Sequence, residues 1–388
     1  MNHNPYPLKK PFFTPGVYVM LVFMITGGVT VLARFIGGIG YVSNLTHLYP
    51  WGLWIGIDVA SGVALAAGGF TTAALAHILG RHHYEPVVRP ALLTAALGYT
   101  FVVLGLLVDI GRSWAIWKPM LYWNPYSVLF EVAMCVMVYL NVLYIEFIPI
   151  VTEQFKSKFS ILAVLEDHLG KIMWIFVIAG VVLSCMHQSS LGSLMLIAPT
   201  KVHPLWYTPI LPLLFLLSAI SVGYPMVIFE TTLITTSMKL DSEMDCLSPL
   251  SKITIYLLGV YMILKLGDML VRGTYVYLLD FSAQSNSFLC EMLIGVITPW
   301  IMLCFENVRK SRKTLFFVSC LIIFGVLINR INVFIVGFKP HYSTTPYFPS
   351  IGEMLVTCGL IATLMFIYRL AVTWLPVLRA KAKKGGSS

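Results

Sequence analysis

Long apolar stretches recur along the chain, and short polar segments separate them. A helix needs about 20 apolar residues to cross a bilayer, and ten stretches reach or approach that length. The pattern predicts an all-α membrane protein in which ten transmembrane helices, called spans here, form one integral-membrane domain over residues 1–388. The predicted spans are residues 16–36, 52–79, 88–109, 126–151, 169–188, 208–236, 250–271, 286–305, 314–337 and 351–372.

The composition agrees with a membrane protein and excludes a soluble domain with a large core. Of the 388 residues, 58% are hydrophobic and 11% are charged, whereas soluble domains carry about 25% charged residues. The net charge of +9 comes from basic residues scattered over many short loops, which does not indicate a nucleic-acid partner. The sequence therefore predicts the lipid bilayer as a partner and no nucleic acid.

The basic residues are distributed unevenly between the two sides of the predicted membrane. Seventeen of the 26 Lys and Arg residues fall on the side of the N-terminus, called side A, Arg369 lies near the same side, and eight fall towards the opposite side, called side B. Basic residues concentrate in cytoplasmic loops. We therefore expect side A to be cytoplasmic, with both termini on that side.

A weak internal repeat occurs at an offset of 160 residues. The motif S-x-L-x-E opens span 4 at Ser127 and span 8 at Ser287. Parallel repeats of this kind are known in membrane proteins. We predict two four-helix bundles, spans 2–5 over residues 52–188 and spans 6–9 over residues 208–337, with spans 1 and 10 at their flanks.

Polar side chains gather at the side-B ends of the first five spans. Asp58 follows Trp54 by one helical turn, and Asp109 and Arg112 are expected to share one helix face. The cluster consists of Arg34, Trp54, Asp58, Asp109, Arg112, Glu131, His187 and Gln188. A structural ion pair would explain any one of these residues. Several helices that bring such groups to one depth favour a functional site, because ionisable residues in a membrane normally face a protein interior or cavity.

The cluster contains the groups that a quinone headgroup requires. A quinone needs polar contacts to two carbonyl oxygens and routes for two protons, which a histidine and carboxylates can supply. Glycines would let a flat ring or a neighbouring helix approach span 2 closely; they are Gly62, Gly68 and Gly69. We expect His187 and Asp109 to contact or protonate the headgroup. The expected supporting residues are Asp58 and Glu131 as proton relays, Arg112 and Arg34 as counter-charges, and Trp54 and Gln188 as further contacts.

Other ionisable residues lie in the side-A halves of the spans and in the second bundle. Glu146, Glu230 and His77 could extend the side-B cluster into a transmembrane proton route. They could instead be helix-end residues that reach the cytoplasmic interface, which we favour for His77. The second bundle has no matching histidine and is interpreted as a diverged, structural copy; its polar residues are Lys265, Asp268, Arg272, Glu291 and Arg330.

The chain lacks the usual ligands of bound redox centres. Its seven cysteines form no C-x-x-C motif, and we interpret them as small hydrophobic residues. A b-type haem usually needs paired histidines at one depth, but His77 and His168 lie towards side A and His187 lies on the opposite side. We therefore expect no haem, iron–sulfur cluster or metal site in this chain.

Several motifs together resemble the NrfD/PsrC family of integral-membrane subunits, nearest to its ten-span HybB branch, the membrane subunit of periplasmic nickel–iron hydrogenases. The resemblance covers essentially the whole chain, and its most specific strings are the last two. The motifs are Pro50-Trp51-Gly52-x-Trp54, Arg89-Pro90-Ala91-Leu92-Leu93, Asp109-x-Gly111-Arg112, Asn124-x-x-Ser127-Val128-Leu129-Phe130-Glu131, Met186-His187-Gln188-Ser189-Ser190 and Lys201-Val202-His203-Pro204-Leu205-Trp206.

The resemblance implies a subunit of the bacterial inner membrane that binds no redox centre and exchanges electrons with menaquinone or ubiquinone. It implies a ferredoxin-like iron–sulfur partner on the periplasmic face, linked to hydrogenase or multihaem cytochrome c subunits. It also implies a quinone site in the first bundle near that face. Such a chain would not be an enzyme alone but one subunit of a quinone-linked oxidoreductase.

Two other functions remain open from the residues themselves. A proton-coupled secondary transporter would agree with parallel repeats, but it predicts broken helices near the middle of the membrane in both repeats. A purely structural membrane anchor would agree with the aromatic side-B loops, but it leaves the buried carboxylates and His187 without a purpose. The direction of electron flow and any proton translocation are not determined by the sequence.

Overall fold

The computed structural model describes residue 7 and residues 11–155, 160–241, 243–343 and 345–378, and this part of the chain is almost entirely helical. Ten of its helices are long and apolar enough to cross a membrane. They are α1 (Pro15–Gly37), α2 (Trp54–Ile78), α3 (His82–Asp109), α4 (Val128–Phe155), α5 (Ser160–Leu196), α6 (Leu211–Ser237), α7 (Met244–Val271), α8 (Ala283–Cys304), α9 (Arg312–Val336) and α10 (Ile351–Trp374).

Shorter elements interrupt or connect these helices. Short helices outside the membrane-spanning set are Ile39–Val42, Ser113–Ala115, Lys118–Met120, Thr274–Asp280 and Glu306–Lys310. Single π-helical segments occur at Trp54–Ser61 and Ala74–Ile78 in α2, Leu293–Ile297 in α8 and Asn332–Val336 in α9. No strand forms within the described ranges, where Val202 and Phe338 make one isolated antiparallel bridge.

The predicted all-α membrane fold and its ten spans are confirmed, and span 5 differs most, at both of its ends. Helix α5 begins at Ser160, whereas span 5 was expected to begin at residue 169. Span 5 was expected to end at residue 188, whereas α5 continues to Leu196. The polar run after His187 suggested a helix end. The hydroxyl of Ser190 instead bonds to the carbonyl of Met186 at 2.8 Å, and that of Ser193 bonds to the carbonyl of Ser189 at 3.3 Å. Because the helix backbone accepts these hydroxyls, serines remain compatible with a membrane helix.

The helices that follow one another in sequence pack in two rings. Around the first ring, α2 contacts α3, α3 contacts α4, α4 contacts α5, and α5 returns to α2. The second ring runs in the same way from α6 through α7 and α8 to α9, which returns to α6. Helices α1 and α10 pack against each other, and α10 also contacts α3. That residues 52–188 form a separate bundle with its own function stays a prediction.

Helix α2 lies at the centre of the protein. Of its 18 most apolar consecutive residues, 83% are buried inside the protein, compared with 11% for α1. The glycines of α2 allow neighbouring helices to pack closely against it. An added Cβ on Gly69 would lie 2.4 Å from the Cβ of Ala95 in α3, and one on Gly68 would lie 3.0 Å from the carbonyl oxygen of Gly223 in α6. Small residues at these crossings let backbones approach closely.

The orientation in the membrane depends partly on residues that lie outside the described ranges. Within them, Arg81, Arg309, Lys310 and Arg312 lie at the side-A ends of their helices. So do five other basic residues that the structure describes, whereas eight of the seventeen fall outside the described ranges: Lys9, Lys10, Lys156, Lys158, Arg379, Lys381, Lys383 and Lys384. The cytoplasmic location of side A therefore stays a prediction.

Candidate functional site

The structure divides the side-B polar residues into groups that lie at different depths. Asp109 is the last residue of α3, at the side-B surface of the membrane region. His187 lies nine residues before the end of α5, which corresponds to about 13 Å along a helix. The common depth expected from the sequence is not observed, because His187 contacts Tyr99, which lies ten residues before Asp109 on α3.

One group consists of three carboxylic acids at the side-B end, called the acid cluster here: Asp58 of α2, Asp109 of α3 and Glu353 of α10. The hydroxyl of Thr357 in α10 donates to Asp58 at 2.7 Å. Asp109 interacts electrostatically with both of the other acids, and its Oδ1 is buried without a hydrogen-bond partner. The cluster therefore lies where α2, α3 and α10 meet, outside the centre of the first ring.

Arg34 of α1 is the cation beside the acid cluster. Its Nε donates to the carbonyl of Val108 at 2.6 Å, and its Nη2 donates to the carbonyl of Ile110 at 2.5 Å. These bonds fix the end of α3, next to Asp109. The buried guanidinium interacts electrostatically with Asp109. Because buried charge in a membrane is costly unless it is paired, Arg34 is the counter-charge of Asp109.

Glu353 was not predicted as a site residue. Its carboxylate accepts hydrogen bonds from the backbone N–H groups of Asn44 (2.8 Å) and Ser350 (3.3 Å) and from the Tyr347 hydroxyl. Burial, with the Glu353 hydrogen bond, raises the pKa of Tyr347, which keeps its hydroxyl a donor. The signal that could have revealed Glu353 is the S-x-x-E pattern of a capping box, which Ser350 and Glu353 form at the start of α10.

Trp54 joins the acid cluster through its indole group. The indole Nε1 donates to the Glu353 carbonyl at 3.2 Å, and the ring is almost fully buried. Trp54 therefore forms a rigid apolar wall beside Asp58, on the same π-helical segment of α2. Segments of π-helix are frequent at functional sites.

A second group surrounds His187 inside the first ring. Nδ1 of His187 and the hydroxyl of Tyr99 lie 3.1 Å apart, and the direction of this bond depends on the histidine tautomer. The next residue, Gln188, donates from Nε2 to the carbonyl of Val63 at 2.8 Å. Nε2 of His187 and Oε1 of Gln188 are buried without partners. This interior site can accept a water molecule or exchange protons.

Glu131 and Arg112 lie apart from both groups. Glu131 is exposed and accepts a hydrogen bond of 2.5 Å from Ser190. Helix α3 ends at Asp109, so Arg112 lies in the following turn, exposed, and does not share a helix face with Asp109. The spacing of three residues indicated a shared face only on the assumption that the helix continued.

The three residues proposed for the proton route occupy different surroundings. His77 is exposed at the side-A end of α2. Glu230 of α6 is buried and accepts a hydrogen bond from Thr94, while its Oε1 has no partner. Glu146 of α4 is half-buried and faces α5 at Gly180, where an added Cβ would lie 2.8 Å from its Oε1. Only the two glutamates therefore lie in the protein interior.

The second ring contains a buried ion pair between Lys265 of α7 and Glu291 of α8. Glu291 also accepts hydrogen bonds from Trp206 (3.0 Å), Asn332 (2.8 Å) and Asn329 (2.9 Å). All of its acceptor capacity is thus used within the protein, by side chains from the loop before α6 and from α7 and α9. This network joins four segments and agrees with a structural role for the second ring.

In the described ranges, no three His, Cys, Asp or Glu side chains are arranged to hold a metal ion. All seven cysteines are free thiols. The polar groups of the two sites described above include carboxylic acids, an imidazole and phenols, which are suited to proton exchange.

Comparison with known proteins identifies the family. Residues 42–339 match the family described as polysulphide reductase, NrfD. A protein of Nitratidesulfovibrio vulgaris is 36% identical and covers 95% of this chain and 96% of its own length. The probable Ni/Fe-hydrogenase 2 b-type cytochrome subunit of Escherichia coli is 32% identical, and the match covers 97% of this chain and 96% of that subunit. The menaquinone reductase integral membrane subunit of N. vulgaris is 26% identical, and the match covers 95% of this chain and 91% of that subunit. The chain is a multi-pass membrane protein that belongs to the NrfD family.

Proposed function

We propose that this chain is the quinone-reactive membrane subunit of a respiratory redox complex. It would exchange electrons between the membrane quinone pool, menaquinone or ubiquinone, and an iron–sulfur partner on side B. The names of the relatives support this proposal, since one is a hydrogenase subunit and another a menaquinone reductase subunit. Both similarities extend over nearly the whole chain.

The acid cluster is the observation that carries the proposal. A quinone that is reduced takes up two electrons and two protons, and a quinol that is oxidised releases them. Asp58 and Asp109 are carboxyl groups near the side-B ends of their helices. Asp109 interacts electrostatically with Asp58 and with Arg34. Groups that can gain and lose protons beside the ring would supply general acid–base catalysis.

We assign the headgroup contact to Asp109 and Asp58, beside Trp54. The buried Oδ1 of Asp109 has no partner, so it is free to accept or share a hydroxyl proton of the quinol. Tyr347 and Glu353 hold the start of α10 against the segment between α1 and α2 and thereby position the site. His187 and Gln188 lie too deep to touch the same ring, and we place them on the proton route.

The orientation and partner form the second part of the proposal. Side A would be cytoplasmic and side B periplasmic, which follows from the distribution of basic residues. The loop between α3 and α4 exposes Trp114, Trp117, Tyr122, Trp123 and Tyr126 on side B. A ferredoxin-like iron–sulfur subunit, linked to a hydrogenase or multihaem cytochrome c, would dock on this face, close to the acid cluster.

The histidines do not fit a resident b-type haem. His187 lies in the side-B half and bonds to Tyr99, whereas His77 and His168 lie towards side A and are both exposed. A haem held by two histidines needs both at one depth on facing helices. We therefore propose that the electrons reach the quinone from the partner's redox centres.

The proposal is tested by quinone binding and turnover of the purified complex. With Asp109→Asn we expect quinone-linked turnover to fall about a hundredfold, the scale of general acid–base catalysis, and binding of a water-soluble menaquinone analogue to weaken. Asp280→Asn, which changes an exposed side-B carboxylate, is the matched control and should leave both unchanged. If the Asp109→Asn complex assembles as well as the wild-type complex and turns over quinone at the wild-type rate, the assignment is refuted.

A further inference from the structure

The interior of the second ring contains two buried cations and one buried acid. The cations are Lys265 of α7 and Arg330 of α9, and the acid is Glu291 of α8. Glu291 forms its ion pair with Lys265 and interacts with Arg330 only electrostatically. Of the ion pairs between described residues, none includes Arg330. These three side chains therefore leave an excess of one positive charge inside the ring.

The other charged side chains close to this interior do not supply the missing negative charge. Asp268 and Arg272 of α7 neutralise each other in an ion pair of 2.8 Å near the side-B end. Glu230 of α6 is buried but accepts a hydrogen bond from Thr94 of α3, so it faces the first ring. Because buried charge in a membrane is costly unless it is paired, the excess positive charge calls for a counter-charge that is not a side chain of these helices.

Arg330 is held in place by neutral groups. Its Nη1 donates to Oδ1 of Asn329 at 2.6 Å. Its Nη2 donates to Oγ of Ser218 at 2.9 Å and to the carbonyl of Phe215 at 3.2 Å, and its guanidinium carbon lies 3.7 Å from the centre of the Phe215 ring. Its Nε is buried without a hydrogen-bond partner. The guanidinium is thus fixed in position, and its charge is not neutralised by these contacts.

A small cavity, called the second-ring cavity here, lies beside this guanidinium between α6, α7, α8 and α9. Its polar wall consists of Ser218, Ser221, Tyr261 and Asn329. Two of these residues, Ser218 and Asn329, are the ones to which Arg330 donates, so positive charge lies directly behind the wall. Ser221 follows the start of α6 by ten residues, about 15 Å along a helix. The cavity therefore lies near the middle of the membrane.

Two hydroxyl groups in the wall of the second-ring cavity have a proton to donate. Oγ of Ser221 is buried without a hydrogen-bond partner. Oη of Tyr261 accepts a hydrogen bond of 3.1 Å from Nζ of Lys265, which leaves its own proton for a further acceptor. Buried polar groups are normally satisfied. Two donors beside excess positive charge suit an anion better than a water molecule, because water brings no charge.

The remainder of the wall restricts the kind of anion. It is apolar, and α8 and α9 cross closely there, since an added Cβ on Gly295 would overlap the Cα of Gly325. An oxyanion such as phosphate needs donors for several oxygens, whereas a monatomic anion is satisfied by a few hydroxyl groups on one side. The second-ring cavity therefore suits a halide.

We propose that the second-ring cavity binds one halide ion of the size of chloride. The hydroxyls of Ser221 and Tyr261 donate to the ion, and Arg330 and Lys265 supply the opposite charge. Hydrogen bonds to an ionised acceptor are about twice as strong as those between neutral groups. The ion joins α6 to α7 and makes the interior of the ring electrically neutral. This site is separate from the quinone chemistry of the first ring and does not rest on it.

The test measures thermal unfolding of the purified full chain in detergent while sodium gluconate is replaced by sodium chloride or bromide at constant ionic strength. We expect a saturable rise of the unfolding midpoint in either halide, because a ligand that binds the folded state stabilises it. Ser221→Ala removes one donor and should raise the halide concentration at half-saturation about tenfold, the scale of one hydrogen bond to a charged group.

Ser319→Ala is the matched control for Ser221→Ala. It also removes a buried serine hydroxyl, but one that bonds to the Leu315 carbonyl of its own helix, and it should retain the wild-type response to halide. A further variant, Ser221→Asp, places a fixed negative charge in the second-ring cavity. We expect its unfolding midpoint in gluconate to approach that of the wild type in chloride and to respond little to halide.

Two outcomes would overturn the proposal. Equal unfolding midpoints of the wild type in gluconate, chloride and bromide would leave water as the ligand of the second-ring cavity. A halide response of Ser221→Ala equal to that of the wild type would place the ion elsewhere on the protein. Neither outcome changes the test of the quinone site, which depends on turnover and analogue binding of Asp109→Asn.

Discussion

The hydroxyl of Thr357 donates a hydrogen bond of 2.7 Å to the carboxyl group of Asp58. The two residues are separated by almost 300 positions in the chain, and they join the last membrane helix to the first helix of the first ring. Helix α10 also contributes Glu353 to the same cluster. The proposed quinone site is therefore shared between α2, α3 and a helix that was expected only to flank the bundles.

Thr357→Val should impair the proposed site without affecting assembly. The substitution keeps the shape of the side chain and removes the donor to Asp58, which leaves a buried carboxyl group without this bond, a loss of about 1–3 kcal/mol. We expect quinone turnover of the complex to fall at least about fivefold, the rate equivalent of 1 kcal/mol. Thr357→Ser should retain most of it. Thr363→Val, which affects only a bond to the Gly359 carbonyl of its own helix, is the control, and an equal loss there would argue against a specific role of Thr357.

Gly27→Ala should destabilise the contact between α1 and α10. An added Cβ would lie 2.7 Å from the Cα of Gly359 and 2.9 Å from the carbonyl oxygen of Leu355, so the backbones must separate, at a cost of about 1–3 kcal/mol. Thermal unfolding of the protein in detergent measures the effect. The neighbouring change Gly28→Ala meets no atom within 4 Å and should be neutral. Equal midpoints for the two variants would contradict this packing.

Lys265→Met should be strongly destabilising. It leaves the Glu291 carboxylate buried without its cation, and breaking a buried ion pair in this way costs about 3–5 kcal/mol. The double variant with Lys265→Met and Glu291→Gln retains the acceptor for Trp206 and removes the isolated charge. We expect its unfolding midpoint to lie above that of the single variant. A single variant as stable as the wild type would show that the pair is not required for stability.

His203 should make the side-B surface sensitive to acid. This half-buried residue precedes α6, its Nδ1 accepts a hydrogen bond from the Leu205 N–H at 3.3 Å, and burial lowers its pKa. The folded state therefore binds fewer protons than the unfolded state in mild acid. The contribution of neutral His203 to the free energy of unfolding is complete above the unfolded pKa of about 6.5, and it declines as the pH falls below that value.

The measurement for His203 compares thermal unfolding at neutral pH with that at about pH 5, below the ordinary histidine pKa. The wild type should lose more stability on acidification than His203→Gln, whose side chain does not titrate. Identical pH dependence in the two proteins would assign the effect to other groups.

The apolar pattern predicted the ten helices and most of their boundaries, because hydropathy is a local property that reports directly on the solvent around each segment. The same pattern placed Asp58 and Asp109 near the ends of predicted membrane helices and Glu230 inside one. The motifs, as continuous strings, also identified the family. Each of these conclusions depends on residues that are close together in the sequence.

The tertiary structure decided which polar residues meet. It placed His187 beside Tyr99, ten residues before Asp109 on α3. It also placed Thr357 of α10 beside Asp58 and Glu353 of α10 near Asp109. It also brought Tyr99 and Tyr139 into one interior column. A single sequence does not determine these contacts, because they depend on the depth, rotation and neighbours of each helix. Those properties are set by close packing between helices distant in the chain.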